Sequence, residues 1–412
     1  MQVTVIVLVL VALHQCIVYL SAATTTTTTT TTTTDPRSTT TTPMPALDFV
    51  VAGFPKCGTT TLLFALRQHA DAIVMSNREV CAMKDKRRAE PVVEQRYRRE
   101  IAQAWHYNSE PKDTSTSAKE KSAGKSLSLL QKGIKCPTIV YSDKAIDRLL
   151  SWYKQSSSEQ KPLKWIIGMR HPLHQVQSYY NYLITEVYDK GYWFYKGIHT
   201  LESILLVGND DEEEAPFDVL ANDASTRHYD WLDYNSIIHS IVGGSHVAVP
   251  WKDMAHDTHR YEIHLHRFLT RLLVLYQEQQ RREETIGDNN NTNNQQPWVL
   301  LYTLEQMEET HNIEPLQHDL GTFVGLDAPL VWGHENRNRF TGTAAHAETI
   351  NLCDARFVNL RARLLSQSQQ TAQWIEDNLL VATSPYAGLV QVGGGTAALR
   401  THVQSWKLDI CS

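Results

Sequence analysis

The chain has 412 residues, enough for one large domain or two ordinary ones, and its 42% hydrophobic and 20% charged content is an ordinary globular profile. A net charge of −6 argues against a general nucleic-acid binder, whose footprint would be basic, but leaves room for small anionic ligands that need only a local cluster of cations. Six cysteines without a C-x-x-C pair suggest neither a zinc site nor a redox motif.

In chain order, "VTVIVLVLVALHQCIVYL" is an apolar run of roughly membrane-spanning length, on the short side. Residues 1–23 read as a signal anchor, or as a signal peptide cleaved after Ala23. No Lys or Arg precedes the run to set its orientation, and the lack of a polar face argues against a core helix. Residues 24–46, a threonine tract with prolines, cannot bury a core and read as a disordered stalk, O-glycosylated if luminal. Anchor and stalk before a globular region suggest a single-pass type II Golgi membrane protein with a luminal domain; a secreted protein is the alternative.

Residues 47–412 read as one domain. "LDFVVAGF" is a buried strand of the parallel kind, "TTTLLFALRQHA" a helix and "DAIVMS" a short second strand. The polar segment from about Lys84 to Lys125 reads as helix then loop, "PTIVYSD" and "LKWIIGMR" as strands, and "PLHQVQSYYNYLITEVY" as a helix with Pro172 in its first turn. Farther on, "HRYEIHLHRFLTRLLVLYQEQ" is an amphipathic helix and "PWVLLYTLEQM" a strand running into a helix, followed by helices in "EPLQHDLGTFVGL" and "DARFVNLRARLLSQSQQTAQWIEDNLL". Polar inserts fall near 107–125, 208–216 and 283–297, and the last holds Asn290, a glycosylation acceptor if the chain enters the secretory pathway. Strands alternating with helices predict an α/β fold: a P-loop-like, mainly parallel sheet flanked by helices.

The stretch "GFPKCGTTT" between the first strand and helix carries the chemistry. A glycine-rich turn there aims backbone N–H groups and a helix N-terminus at an anion. Gly53 and Gly58 let the backbone come close, and Thr59, Thr60 and Thr61 add hydroxyls. A nucleotide triphosphatase needs Lys after the second Gly to neutralise its phosphates; here that position is Thr59, and the lysine is Lys56 on the loop crest. A cation there suits transfer of a less charged group, with no metal required.

The loop resembles the 5′-phosphosulfate loop of sulfotransferases, P-K-[SA]-G-T-[TS]-x-L, which bind 3′-phosphoadenosine 5′-phosphosulfate (PAPS). Cys57 stands where a smaller residue is usual. The resemblance assigns Pro55, Lys56, Cys57, Gly58, Thr59, Thr60 and Thr61 to the cofactor. It extends to "RHPLHQVQSYY", similar to the family's R-[DN]-P-x-x-x-x-x-S-x-Y, with Arg170 and Ser178 at the 3′-phosphate, Tyr180 in register and His171 replacing Asp or Asn. Arg offers a phosphate a charge-assisted fork, and Ser adds a hydroxyl from the following helix.

Two weaker matches point to the carbohydrate, heparan-sulfate-type branch. "KCPTIVY" resembles K-[ST]-P-x-Y, with Lys135 at the lysine and Cys136 at the Ser/Thr position. "SNREVCAMKD" resembles N-K-E-x-x-F-F, with Glu79 as the general base, Arg78 where Lys is common and Met83 near an aromatic position. The resemblance implies in-line transfer of a sulfuryl group from PAPS to a hydroxyl of an acceptor, by the branch matched a carbohydrate, leaving adenosine 3′,5′-bisphosphate. Glu79 would take the acceptor proton, Lys56 would stabilise the bridging oxygen, and Lys135 would hold the sulfonate or acceptor. Of the 18 histidines, His69 and His106 are near the loop or Glu79 in sequence, and only His171, beside Arg170, stands out.

A luminal compartment favours disulfides. With Cys16 set aside, five cysteines remain and one must stay unpaired, with Cys57 the candidate. The expected pairs are Cys353 with Cys411 and Cys81 with Cys136, although sequence does not assign connectivity. The expected partners are an acceptor and, through the N-terminal segment, a membrane, with no nucleic acid. Two other readings stay open: a non-catalytic glycoprotein that keeps the fold, and a P-loop kinase-like NTPase, which the missing lysine disfavours.

Overall fold

The run "FVVAG" forms β1 (Phe49–Gly53), buried at every position because both its faces are covered, as a central parallel strand requires. This computed structural model describes residues 46–85, 88–109, 130–156, 161–182, 261–286, 296–309, 313–332 and 351–412. All belong to the unit Met44–Ser412. The N-terminal apolar run, the threonine tract, the acidic insert and Asn290 lie outside the described residues. Among the described residues, no helix is long and apolar enough to cross a membrane.

Six strands form one sheet: β1, β2 (Ile73–Glu79), β3 (Gln131–Lys135), β4 (Lys164–Met169), β5 (Val299–Thr303) and β6 (Val390–Val392). The order is β2-β3-β1-β4-β5-β6 and every pairing is parallel. The C-terminal ends of all six strands therefore share one edge. From β1 the chain goes first to the edge at β2, returns through β3 beside β1, and then crosses to β4 on the other side. A crevice at such a reversal is where open α/β sheets bind ligands.

Alternation along each strand feeds two cores. Val50 and Ala52 join Ile134, Trp165, Ile167 and Leu301 on one face, under α2 (Glu90–Ser109), α3 (Asp143–Ser156), α5 (Tyr261–Ile286) and α8 (Val358–Leu379). Phe49, Val51, Ile166 and Leu300 face the other way, against α1 (Thr59–Gln68) and α7 (Ile313–Phe323). The α/β expectation holds, with helices on both faces of a parallel sheet.

Two elements differ from expectation. "PTIVYSD" is not a strand: the sheet position belongs to Gln131–Lys135, and Ile139–Tyr141 form a buried 3₁₀ turn. Pro137 lacks the N–H that a continuing ladder needs, so the chain leaves the sheet after Lys135. The second strand runs past "DAIVMS" to end at Glu79. The sequence reading also assigned nothing to β6 or to α9 (Thr396–Ser405), which buries Leu399 and Val403.

Candidate active site

The turn after β1 is built from left-handed backbone, with φ of 109° at Gly53, 66° at Lys56 and 77° at Gly58. Lys56 is the one non-glycine with positive φ among the described residues, a conformation that surrounding contacts must hold in place. Three contacts do so: Phe54 N–H donates to Gly168 O, Gln175 Nε2 to Pro55 O and Tyr302 Oη to Cys57 O, at 3.3, 3.2 and 3.2 Å. Gly58 then caps α1 with no side-chain hydrogen bond and no acid in the first turn. The leading N–H groups of α1 therefore point an uncompensated positive end out of the strand-end edge.

Cys57 faces inward. It is fully buried, and its Sγ lies 3.5 Å from Pro55 O and 3.8 Å from Tyr261 Oη. Burial pushes its thiol far above the ordinary range, with the Tyr261 hydrogen bond and Arg170 opposing. The side chain is thus a small neutral donor under the loop, not a nucleophile.

Beside the loop, Lys135 Nζ lies 3.1 Å from Glu79 Oε1 and donates to Thr60 Oγ1 at 2.9 Å. The last residues of β2 and β3 thereby meet the first turn of α1. Lys135 is 7% exposed and Glu79 is 51% exposed, so a covered cation supports a carboxylate that is open to solvent. The side chain of Arg78 lies outside the described residues.

On the other side of β1, Arg170 follows β4 directly, and α4 (Pro172–Tyr182) begins two residues later. Gln175 holds the loop, and the Tyr182 ring lies 4.5 Å under Lys56 Nζ. Ser178, half-buried, is three residues from one and four from the other, so all three share the helix face turned to the loop. Tyr180's side chain and that of His106 lie outside the described residues, and His69 is the C-cap of α1 at the opposite end from the loop.

His171 occupies the N-cap position of α4, where its Nδ1 accepts from Leu173 N–H at 3.3 Å. Asp and Asn cap helices in the same way, which explains physically why His serves here. Burial, then His174, depress its pKa from 6.5 to about 3, only partly offset by the backbone of Leu408 and Ser405. Below pH 6.5 the unfolded chain binds a proton that the native ring refuses, so stability falls as pH falls. Relative to His171→Asn, the wild type should lose about 2 kcal/mol between pH 6.5 and 5, near 1.4 kcal/mol per pH unit, in urea unfolding at the two pH values.

Sequence reasoning missed Glu305. It lies in the short helix α6 (Leu304–Glu308) after β5, and its Oε1 accepts from His171 N–H at 2.7 Å. Burial raises its pKa, while the His171 N–H and Arg170 pull it down. Tyr302, Tyr261 and Gln175 were missed as well; no spacing in the chain connects them to the loop they support.

Cys81–Cys136 and Cys353–Cys411 are disulfide-bonded, and Cys57 is the free cysteine among the described residues. No group of His, Cys, Asp and Glu able to hold a metal ion occurs among them.

No family model matches the chain, and no curated protein matches it. Among solved structures, the crystal structure of a sulfotransferase from Alicyclobacillus acidocaldarius is similar, at 13% identity and a TM-score of 0.40. The match covers 81% of this chain and 95% of that one.

Proposed function

We propose that this protein transfers a sulfuryl group from PAPS to an acceptor hydroxyl, with a carbohydrate as the acceptor class. The observation that carries this reading is the Lys135 bridge. It joins Glu79 and Thr60, so three segments far apart in sequence meet at the mouth of one anion-ready loop. An uncapped helix N-terminus, with Arg170 and Ser178 on neighbouring elements, fits a ligand carrying two separated phosphates.

PAPS supplies a sulfuryl group on a phosphate leaving group. The protein's part is binding and proton handling. The N–H groups of the loop and first α1 turn hold the 5′-phosphate, and Arg170 and Ser178 hold the 3′-phosphate. Glu79, the open carboxylate, takes the acceptor proton. Lys56 offsets charge developing on the bridging oxygen, and Lys135 keeps the base in register with the loop. No step calls for a metal. The setting we propose is luminal and membrane-anchored, an oxidising compartment in keeping with two disulfides.

Calorimetric titration with adenosine 3′,5′-bisphosphate, alongside an assay of its release from PAPS with mixed glycans, tests the reading. Uptake and release are expected; no uptake by the wild-type protein ends it. Arg170→Ala should weaken nucleotide binding about 10- to 150-fold, the range of a lost charged hydrogen bond at about 1.5–3 kcal/mol. Unchanged affinity removes Arg170 from the phosphate site.

A further inference from the structure

Glu79 stands at an insecure place in the sheet. β2 is an edge strand, so β3 is its sole neighbour in the ladder. Their register runs regularly from Ile73↔Gln131 to Met75↔Gly133 and then breaks, resuming at Glu79↔Lys135. Three residues of β2, 76–78, thus stand against the single Ile134 of β3 just before the base, and such bulges disrupt pairing and bend the strand. Within the gap, Ser76 Oγ accepts from Lys135 N–H at 3.3 Å, and beyond it Val80 N–H donates to Lys135 O at 2.9 Å.

The Cys81–Cys136 bond follows at once. Cys81 is two residues past Glu79, and Cys136 is next to Lys135. Arg148 of α3 binds the carbonyls of Met83 and Asp85, and Lys84 donates to Thr138. Those contacts secure the turn after β2 but do not reach the two strand ends. Cys136 is also where this chain departs from the Ser/Thr of the motif it resembles.

We propose that the Cys81–Cys136 disulfide is a positioning clamp, which holds the end of β2 against β3 and so keeps Glu79 paired with Lys135 across a lapse in the ladder. Both sulfur-bearing residues are buried, so the clamp is a permanent fitting. Its bearing on turnover rests on the reading of Glu79 as the base.

The test compares Cys81→Ala/Cys136→Ala with Cys353→Ala/Cys411→Ala in the full chain. The two bonds span 55 and 58 residues, so each deletion frees a similar length of unfolded chain. Only the first should act on the base. It is expected to lower kcat at least about tenfold while leaving the Kd for adenosine 3′,5′-bisphosphate within about threefold, because the loop and Arg170 belong to other strands. It should also speed hydrogen exchange at the Val80 amide at least about tenfold without global unfolding. Equal kcat losses in the two variants, or an unchanged Val80 amide, overturn the proposal. If the wild type turns over no PAPS, the proposed function fails, while Val80 exchange still decides the clamp. If the first variant does not fold, Ser76→Ala decides, since it removes the hydrogen bond across the gap and keeps the disulfide. Val80 exchange within about twofold of wild type supports the clamp, and a tenfold rise shows that the hydrogen bond is the fastening.

Discussion

Glu79→Gln is expected to lower kcat by about 10²- to 10⁴-fold, the usual worth of a positioned general base. Glutamine matches glutamate in size, and its carbonyl oxygen can still accept from Lys135 Nζ, which lies 3.1 Å from Glu79 Oε1 in the wild type. The chain from strand end to Thr60 should therefore persist, and the loss isolates proton transfer from packing. Nucleotide affinity should be unchanged or slightly tighter, because a negative charge is removed near a site for anions. Release of adenosine 3′,5′-bisphosphate at saturating PAPS, with calorimetry on the same variant, separates the two effects. Activity within tenfold of wild type would end the assignment of Glu79 as base. A parallel loss of nucleotide binding would instead make it a structural support of the loop.

Gly168→Ala carries the largest expected structural effect. Gly168 lies in β4 opposite Gly53 of β1, and an added Cβ would sit 2.5 Å from both Cys57 O and Tyr302 Oη. Neither obstacle is the free end of a flexible chain. One is the loop's own backbone, and the other is a buried ring whose hydroxyl donates to that same carbonyl. Relief requires the loop to lift from the sheet, so the variant should lose about 3 kcal/mol of stability, at the upper end of ordinary overpacking. Thermal unfolding and calorimetry with adenosine 3′,5′-bisphosphate should shift together, with affinity down at least about tenfold as the Lys56 conformation is lost. A normal unfolding temperature with normal affinity would show that the loop does not rest on β4.

Several parts of this arrangement were legible in the chain alone. "FVVAG" before "FPKCG" specifies a buried parallel strand feeding a glycine turn, because continuous apolar runs and φ-permissive residues act locally. The apolar spacing of α1 and α5 reads just as directly. "TIVY" was misread because a short apolar run packs equally well as a strand or as a buried turn, and Pro137 decides between them only once a sheet position is at stake.

By itself, then, the sequence determined the parallel α/β plan, the anion-ready turn with Lys56 at its crest, and the candidate residues Glu79, Lys135 and Arg170. The plan and the turn follow from short-range periodicity and backbone preference, which each segment carries within itself, whereas the three candidates rest on the resemblance of their segments to sulfotransferase motifs. Only the tertiary structure decided that Lys135 bridges Glu79 to Thr60, that Glu305 meets the turn after β4, and that Cys57 turns inward to Tyr261. Such contacts span from 56 residues of chain, between Glu79 and Lys135, to more than 200 and arise from strand order and the packing of two cores, which no local pattern encodes.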